Sequence, residues 1–387
     1  MAMTAGLILP AGELAAAANL RDEDARYMAA ALNLARRGLG RVAPNPAVGA
    51  LVVKDGVLVG RGVTGHGGRP HAETIALQNA GSAAKGATLY VTLEPCSHHG
   101  HTPPCADAII AAGISRVVSA LNDPDARVSG EGHARLRAAG IDVRTDVLAD
   151  AAMRLNLGHI LRSTQKRPML CLKLAETIDG YAAGAAGAPR LAITGEAANA
   201  HVHMMRALHD AILIGSGTAI ADDPLLTVRL PGLDAVKPLR IVLDSMLALP
   251  AGSRLAVTAS SHPTLVITTE SASAQKTADL AAKGIEIMPV ASGASGHVDL
   301  AATLAYLAAR GLTRIFCEGG PHLAAALLRH GFADEIILLT GAAALGRPGL
   351  PAIDVADRAF LSDPKRYHLR EEKMIGPDRL RHYERVV

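Results

Sequence analysis

The chain has 387 residues, of which 49% are hydrophobic and 19% charged, and its formal net charge is +3. This length exceeds that of most single domains and the apolar content excludes a disordered chain, so we expect two globular domains. The scattered basic residues, the absence of tryptophan and the 2% of aromatic residues argue against nucleic acid as a partner.

The first 20 residues are small and apolar, but they lack lysine and arginine, and Glu13 interrupts them. This composition indicates a loose N-terminal extension over residues 1–20 rather than an export signal. No uncharged apolar run approaches the length of about 20 residues that a membrane-spanning helix needs. Four cysteines in so long a chain do not resemble a disulfide framework. We therefore expect a cytoplasmic protein without a membrane partner.

Residues 22–40 predict an amphipathic helix, because an acidic first turn precedes apolar residues at helical spacing and glycines end the segment. Residues 48–63 predict a β-hairpin that turns at Lys54-Asp55-Gly56. Helices are then predicted within 69–81, 103–113 and 132–140, and strands within 87–95, 116–123 and 141–147. This alternation favours a three-layer α/β domain over residues 21–165.

A helical stretch over residues 149–168 is followed by a new apolar strand over 169–175. We place the domain boundary at this junction and assign the second domain to residues 166–387. Further strands are predicted within 209–217, 238–245, 263–269, 313–320 and 334–340, and helices within 198–208 and 321–331. The second domain is therefore also predicted to be α/β.

Two short motifs could supply a zinc site. His71-Ala72-Glu73 is expected to open a helix, Pro95-Cys96 to end a strand and Cys105 to open the next helix, where the helix dipole favours a thiolate. One histidine and two cysteines can bind one zinc ion and leave a position for water, while the glutamate moves protons. Zinc deaminases of nucleobases use such a set, although their usual signature has two residues between the cysteines and this chain has eight.

A structural interpretation of the same residues stays open. The two cysteines could be thiols beside a histidine-rich loop, and the glutamate an ordinary acid of a first helical turn. Three histidines, His98, His99 and His101, lie between the cysteines. A histidine in a polar loop more often contacts solvent or substrate than a metal, and three ligands already suffice.

The deaminase motifs resemble the N-terminal half of the bifunctional riboflavin-biosynthesis deaminase-reductases. The resemblance rests on the segments APNPAVGALVVKDG, PHAE, TLEPCSHHGHTPPC and NDPDARVSGEG. In that family the long spacer between the cysteines is itself a distinguishing feature. The resemblance covers nearly the whole chain from about Asp22, and it implies a cytidine-deaminase-like first domain and a dihydrofolate-reductase-like second domain.

For the first domain, the resemblance implies that His71, Cys96 and Cys105 bind Zn²⁺ and that Glu73 carries protons. The implied substrate is a small molecule, a diaminopyrimidinone ribosyl phosphate. The implied reaction is hydrolytic removal of the exocyclic amine at carbon 2 of its pyrimidine ring.

Two further residues bear on the substrate of this domain. Asn45, in a Pro-Asn-Pro turn, matches a pyrimidine-contacting residue of the family, although a turn-forming asparagine remains an alternative. His101 stands where the family usually has arginine or lysine. If this residue meets the substrate phosphate, affinity should depend on pH.

In the second half, a strand, the glycine pair Gly319-Gly320 and an amphipathic helix offer backbone amides that could bind a phosphate. Such turns are common without a ligand, and the chain has no G-x-G-x-x-G fingerprint. The segments LKLAETIDGYAA, GSGTAIADDPLLTVR, RIVLDS and CEGGPHLAAALL are similar to the family's reductase domain. This similarity implies that NADPH delivers hydride to carbon 1 of the ring-opened ribosyl group, which becomes a ribityl chain.

The resemblance also implies which residues form the reductase site. It places the dinucleotide against Ala175, Thr218, Asp222, Ser245, Gly320, Pro321, His322, Leu323, Ala324, Ala325 and Ala326. It places the substrate against Arg190, Arg206, Leu226, Arg229 and Glu318. Arginines at 206 and 229 suit a ribose phosphate by charge and fork geometry. Lys173 and Glu318 are candidates for proton transfer, while a solvated Arg206 and a capping Asp222 remain alternatives.

Residues 184–199 depart from the family pattern. The family usually reads S-x-W-I-T-G where this chain has Arg190-Leu191-Ala192-Ile193-Thr194-Gly195, so a substrate-facing serine and a cofactor-facing tryptophan are missing. Asn199 replaces a frequent arginine. The resemblance therefore specifies zinc binding more completely than NADPH packing. Cys171 and Cys317 lie in apolar strands and are expected to be core thiols.

The main interpretation is a two-domain enzyme that deaminates and then reduces one intermediate. One alternative is a zinc deaminase whose second domain is catalytically silent and serves assembly. Another is a zinc-stabilised nucleotide sensor in which Glu73 has no chemical role. Ammonia release followed by NADPH oxidation separates the three. The resemblance also implies a homo-oligomer, a dimer or a tetramer, formed through the reductase domain.

Overall fold

Two large sheets carry the fold, one in each of two structural units that divide between Gln165 and Lys166. The computed structural model describes residues 22–98, 103–125, 129–185, 187–189, 191–293 and 295–386. The N-terminal extension predicted for residues 1–20 lies outside this part of the chain. Among the described residues, no helix combines the length and apolar character needed to cross a membrane.

The first unit is a five-stranded sheet with helices on both faces. Its helices are α1 (Glu23–Ala35), α2 (Ala72–Ala80), α3 (Cys105–Ala111), α4 (Glu131–Ala138), α5 (Ala149–Leu155) and α6 (Leu157–Gln165). Its strands are β1 (Gly49–Lys54), β2 (Val57–Val63), β3 (Thr88–Val91), β4 (Arg116–Ser119) and β5 (Asp142–Arg144). The sheet order is β2-β1-β3-β4-β5, with β1 antiparallel to both neighbours and the other pairs parallel.

Alternating side chains on β1 bury both faces of this sheet. Ala50 and Val52 belong to a core that includes residues of α2, α3 and α4, whereas Leu51 and Val53 belong to a core that includes residues of α1 and α5. Successive side chains of a strand point to opposite faces, so one apolar strand supplies both cores. The three-layer α/β arrangement predicted for this half is confirmed.

The hairpin between β1 and β2 turns at Asp55-Gly56, as predicted, where both residues have a left-handed backbone (φ 50° and 76°). β2 then presents Gly62 to α2. A Cβ atom at Gly62 would lie 2.1 Å from the carbonyl oxygen of Ala72. A residue without a side chain therefore lets the start of α2 lie directly on the sheet.

The stretch predicted as helical over residues 149–168 is two helices, α5 and α6, that meet at Asn156. The Asn156 side chain accepts a hydrogen bond from the backbone N–H of Ala47 (3.0 Å) and donates one to its carbonyl (3.2 Å). This pairing fixes the break between the helices against the segment before β1.

The second unit is a nine-stranded sheet flanked by helices. Its helices are α7 (Glu196–Ala207), α8 (Ser216–Asp222), α9 (Arg254–Val257), α10 (Ala274–Ala281), α11 (Leu300–Ala309), α12 (Pro321–Arg329) and α13 (Val355–Ser362). Its strands are β6 (Met169–Glu176), β7 (Tyr181–Ala183), β8 (Ala211–Gly215), β9 (Leu239–Leu243), β10 (Thr264–Thr269), β11 (Glu286–Val290), β12 (Arg314–Cys317), β13 (Glu335–Thr340), β14 (Leu350–Pro351), β15 (Tyr367–Ile375) and β16 (Asp378–Arg385).

The large sheet has the order β11-β10-β9-β8-β12-β6-β13-β16-β15, and β7 and β14 form a separate pair. The first seven strands of that order are parallel, and β16 and β15 add an antiparallel hairpin at one edge. The α/β class predicted for this half is confirmed. The terminal hairpin was not predicted, because charged residues are interspersed along β15 and obscure a strand pattern.

A buried aspartate joins α1 to the sheet of the first unit. Asp24 accepts hydrogen bonds from Arg116 Nη1 (2.8 Å) and Nη2 (2.7 Å), from Arg144 Nη1 (2.5 Å) and from the Tyr90 hydroxyl (3.0 Å). These donors, Arg116 foremost, lower the pKa of Asp24 to about 2. The ionised carboxylate therefore stabilises the fold above the pKa of an unfolded aspartate, near 4, and this contribution is lost as pH falls towards 2.

We expect Asp24→Asn to lower the free energy of unfolding of the first unit by about 2–3 kcal/mol at pH 7, because several charge-assisted hydrogen bonds are lost. The difference from the native chain should shrink as pH falls from about 4 towards 2. Calorimetric unfolding of the full chain measures it. Asp142→Asn is the matched control, because the Asp142 side chain also binds Arg116 but is 72% exposed. Equal effects of the two variants would contradict the prediction.

Candidate active sites

Three donor atoms converge in the first unit. The Nδ1 atom of His71 lies 3.2 Å from the Cys105 Sγ atom and 3.7 Å from the Cys96 Sγ atom. All three atoms lie within 4.8 Å of one another, and they are the one such group of histidine, cysteine or carboxylate side chains among the described residues. The sequence brought the same three residues together as a candidate zinc site.

Helix starts and one irregular segment position these ligands. His71 is the N-cap of α2 and Cys105 is the first residue of α3, as predicted. The prediction that Pro95-Cys96 ends a strand is wrong, because β3 ends at Val91 and the chain leaves the sheet before Cys96. The first amides of α3 hold Cys96 instead: Cys105 N–H donates to its sulfur (3.3 Å) and Ala106 N–H to its carbonyl (3.1 Å).

The two cysteine side chains are hydrogen-bonded to each other, which shifts their pKa values in opposite directions. A hydrogen bond from the Cys105 thiol, with a further one from His71, lowers the pKa of Cys96 to about 4. The same bond to Cys96, together with burial, raises the pKa of Cys105. This hydrogen bond favours the thiolate form at Cys96, whereas the sequence pointed to Cys105. Release of the second proton requires a positive charge between the sulfurs, which a metal ion supplies.

The separations fit a zinc ion. Tetrahedral coordination with Zn–N of about 2.0–2.1 Å and Zn–S of about 2.3 Å separates the ligand atoms by about 3.5–3.8 Å. The Nδ1–Sγ distances of 3.2 and 3.7 Å approach these values. One imidazole and two thiols leave a fourth position for water or substrate, as in catalytic zinc sites.

A buried carboxyl group lies beside this cluster. Glu73 belongs to the first turn of α2 and is 4% exposed. Burial raises the pKa of its carboxyl group. A hydrogen bond to Cys105 and the positive charge of His71 lower this pKa, but they offset the effect of burial only in part. Burial thus favours the protonated form of this carboxyl group more than solvent does, which suits a group that takes up and releases a proton.

Asn45 lies against the loop that leads into α2. Its side-chain amide donates to the carbonyl of Gly68 (2.8 Å), and its backbone N–H donates to Val42 (3.0 Å) in a turn. A Cβ atom at Gly68 would lie 2.6 Å from the Asn45 side chain, so the two residues fit closely. The pyrimidine-contacting and the turn-forming interpretations of Asn45 are compatible with this position. Of the loop histidines, His98 is exposed, and His99 and His101 lie outside the described residues.

Sequence analysis missed Glu94, two residues before Cys96. Its buried carboxylate accepts hydrogen bonds from the backbone N–H groups of Asp123 (2.9 Å), Gly130 (2.9 Å), Gly132 (2.9 Å) and His133 (3.3 Å). Four amides from one segment thus hold the loop before α4 against the Cys96 segment. A glutamate inside an otherwise apolar strand-to-proline segment is the signal that could have revealed it.

In the second unit, the predicted residues lie at the carboxyl ends of parallel strands. Ala175 lies near the end of β6, Thr218 in α8 after β8, Ser245 after β9, and Glu318 directly after β12. Ligands of open α/β sheets bind at this edge, where neighbouring strands connect in opposite directions. Here β12 and β6 are neighbours, and the chain continues from β6 to β8 on one side of this pair and from β12 to β13 on the other. The carboxyl ends of these strands are therefore the candidate site.

A buried ion pair forms the centre of the site. Arg206 on α7 donates from Nε (2.5 Å) and Nη2 (2.8 Å) to the two oxygens of Glu318, and from Nη1 to the carbonyl of Thr227 (2.9 Å). Burial tends to raise the pKa of Glu318, but Arg206, with Lys173 on β6, lowers it. Glu318 is therefore ionised, and the fork of Arg206 faces that carboxylate.

The segment that follows α8 carries the predicted residues Leu226 and Arg229. Leu226 is buried and has a left-handed backbone (φ 49°), which costs energy in a residue with a side chain. Sequence analysis missed Arg240 on β9, which donates to the carbonyl of Leu225 (3.1 Å) and so holds the strained turn. Arg240 is fully buried and binds four further carbonyl and hydroxyl oxygens. An arginine inside an apolar strand was the signal available.

The start of α12 meets α8. The N-cap Gly320 donates its backbone N–H to the Thr218 hydroxyl (3.0 Å), and a Cβ atom at Gly320 would lie 3.2 Å from that oxygen. Pro321, His322, Leu323, Ala325 and Ala326 are half-buried or exposed, whereas Ala324 packs in the core. Asp222, the last residue of α8, is exposed. The amides at this helix start have the polarity that attracts phosphate.

Ser245 lies three strands from Ala175 in the sheet order, a span of about 14 Å at the usual strand spacing. Its hydroxyl accepts from the backbone N–H of Val298 (3.1 Å) and lies 3.5 Å from His297 Nδ1. An extended ligand is needed to reach both ends of such a site. Arg190 lies outside the described residues.

Each unit matches a known protein family. Residues 21–121 match the family described as "Cytidine and deoxycytidylate deaminase zinc-binding region", and residues 168–370 match "RibD C-terminal domain". Riboflavin biosynthesis protein RibD of Escherichia coli (strain K12) is 40% identical over 372 residues, which cover 92% of this chain and 98% of that protein. Its namesake from Aquifex aeolicus (strain VF5) is 39% identical over 361 residues, with coverage of 93% and 98%.

Solved structures agree with these matches. RibD of Acinetobacter baumannii, form 1, has a TM-score of 0.82 and 33% identity, and covers 94% of this chain and 99% of its own. A diaminohydroxyphosphoribosylaminopyrimidine deaminase/5-amino-6-(5-phosphoribosylamino)uracil reductase from Thermotoga maritima has a TM-score of 0.79 and 33% identity, with coverage of 93% and 98%.

We expect Glu94→Gln to loosen the loop before α4. The substitution removes the negative charge and one of the two oxygens that accept hydrogen bonds from the four backbone amides. Amide hydrogens of Asp123, Gly130 and Gly132 should exchange at least about tenfold faster, which corresponds to 1.4 kcal/mol. Hydrogen exchange by mass spectrometry measures this. Glu131→Gln, at an exposed glutamate of the same loop, is the control and should exchange as the native chain does. Unchanged exchange in Glu94→Gln would refute the assignment.

Proposed function

The chain belongs to the family of bifunctional RibD enzymes of riboflavin biosynthesis, with a zinc-dependent deaminase unit and an NADPH-using reductase unit, and we propose that the two units act in turn on one pyrimidine ribosyl phosphate. The substrate is 2,5-diamino-6-ribosylamino-4(3H)-pyrimidinone 5′-phosphate, in line with the name of the Thermotoga maritima relative. The observation that carries the proposal is the convergence of His71, Cys96 and Cys105 beside the buried Glu73.

In the first unit, His71, Cys96 and Cys105 would hold the zinc ion, which supplies a Lewis acid that makes water nucleophilic near neutral pH. Glu73 takes a proton from that water and passes it to the exocyclic nitrogen at carbon 2. Water adds to carbon 2, the bond from carbon 2 to this nitrogen breaks, and ammonia leaves. Asn45 contacts the pyrimidine from the turn that supports the loop before α2.

In the second unit, NADPH supplies the hydride that reduces carbon 1 of the ribosyl group. Lys173 donates a proton to the ring oxygen as its bond to carbon 1 breaks, so that carbon 1 becomes a methylene and the oxygen a hydroxyl. The Glu318 carboxylate attracts this lysine by charge and pairs with Arg206, and Arg229 binds the ribose phosphate.

The dinucleotide would extend along the strand ends. Ala175, Thr218 and the start of α12 support the nicotinamide and pyrophosphate, and Asp222 and Ser245 lie towards the other end. The position of these residues at the carboxyl ends of the strands and the polarity of the α12 start favour binding at this edge of the sheet.

The cellular setting is part of the same proposal. We place the enzyme in the cytoplasm, because its four cysteines are free thiols and two of them serve as metal ligands only when reduced. We propose a homo-oligomer that forms through the second unit, where β15 is an edge strand with exposed Leu369 and Met374. Sedimentation of the full chain measures this assembly.

We expect Glu73→Gln to retain zinc and to release ammonia at least about 100-fold more slowly, because an amide does not shuttle protons. Zinc content by elemental analysis and ammonia release from the diaminopyrimidinone phosphate are the two measurements. Glu131→Gln, which changes an exposed first-turn glutamate of α4, is the control. Normal turnover in Glu73→Gln would contradict the proton-shuttle role. Zinc-containing protein without ammonia release in the native chain would favour a sensor.

We expect Thr218→Val to weaken NADPH binding by about 5- to 10-fold, because the Gly320 N–H loses its acceptor at the start of α12. Fluorescence titration with NADPH measures the dissociation constant, and ammonia release should not change. Thr218→Ser keeps the hydroxyl and should bind more tightly than the valine variant. Equal dissociation constants for the two variants would exclude this contact as a determinant. Ammonia release without NADPH oxidation in the native chain would favour a silent second unit.

A further inference from the structure

His203 on α7 has no role in the proposed reaction, yet it lies inside the proposed phosphate site. It is three residues before Arg206, so both side chains project from one face of the helix. Its Nδ1 atom accepts a hydrogen bond from the backbone N–H of Arg229 (3.1 Å). The histidine therefore holds the main chain of the residue that is to bind the ribose phosphate.

Two contacts fix this segment on α7, and a third holds the segment internally. Arg206 Nη1 donates to the carbonyl of Thr227 (2.9 Å), His203 accepts from Arg229 N–H (3.1 Å), and Arg229 Nη1 donates to the Thr227 hydroxyl (3.2 Å). The Arg229 side chain is otherwise exposed and can meet an anion. The contact through His203 is the one that orients the backbone of Arg229 itself.

The bond also fixes the protonation state of His203. A backbone amide must donate, so Nδ1 accepts only when it carries no proton. Burial lowers the pKa of His203, and the positive charges of Arg206 and Arg229 lower it further, against the opposing effects of Glu318 and of a hydrogen bond to the Thr227 backbone. A protonated imidazole would direct an N–H group at the Arg229 N–H and break the contact.

We propose that neutral His203 is a positioning residue of the reductase site, which sets the affinity for the pyrimidine ribosyl phosphate by holding Arg229 through its backbone. The inference rests on the proposed function of the second unit. It predicts a change in KM rather than in kcat, because Arg229 would bind the phosphate and not the reacting carbon.

Two variants test the role. His203→Leu removes the acceptor and keeps bulk, whereas His203→Asn keeps an oxygen acceptor at the place of Nδ1 but does not titrate. We expect His203→Leu to raise the KM for the deaminated pyrimidine phosphate about 5- to 10-fold with kcat nearly unchanged, as for the loss of one hydrogen bond. His203→Asn should restore KM at pH 8. NADPH oxidation gives both constants.

The pH profile separates positioning from packing. The substrate phosphate titrates near pH 6 and weakens binding at acidic pH in every variant. The ratio of kcat/KM between the native chain and His203→Asn cancels that effect. We expect this ratio to be constant at high pH and to fall only at pH values below the ordinary histidine pKa of about 6.5, as His203 in the native chain takes up a proton.

His330→Leu is the matched control, because His330 is exposed at the opposite end of α12 from Gly320. Ammonia release reports the first unit in every variant. A normal KM in His203→Leu, a His203→Asn variant that behaves like His203→Leu, or a ratio that does not change with pH would each overturn the role of His203 alone. A native chain that releases ammonia but never oxidises NADPH would overturn the proposed reductase function as well.

Discussion

Both candidate sites depend on a buried carboxylate that must be satisfied by donors from another segment of the chain. Glu94 accepts from four backbone amides and so determines where the loop before α4 lies. Glu318 accepts from both arms of Arg206 and so determines where α7 lies relative to β12. An unpaired buried carboxylate is costly, so each of these contacts is effectively obligatory once the strand that precedes the glutamate is formed.

The two units apply this constraint to different chemistry. In the first, Glu94 lies two residues from Cys96, and its bonds fix the irregular segment that brings one sulfur to the other. In the second, Arg206 also binds the carbonyl of Thr227, while Arg240 holds Leu225 before it and His203 holds Arg229 after it. A site on an α/β sheet is built from loops that follow the strands, and these loops must be held in fixed positions.

The elements were largely predictable from the sequence, because apolar periodicity and turn residues are local signals. The three-layer first domain, the Asp55-Gly56 turn and the helix starts at His71 and Cys105 follow from such signals. The end of β3 and the break at Asn156 did not, because side chains bound to distant backbone groups decide them. The C-terminal hairpin was missed because its charged strands carry little alternation.

The sequence by itself determined the kinds of donor at each site, since residue type fixes ligand chemistry: an imidazole and two thiols in one half, arginines and a glycine turn in the other. It also determined the family, through motifs that span nearly the whole chain. Only the tertiary structure decided that Cys96 and Cys105 meet beside His71, that the fork of Arg206 faces Glu318, and that His203 holds Arg229. These outcomes depend on distances between segments far apart in sequence, and electrostatic and hydrogen-bond energies change steeply with such distances.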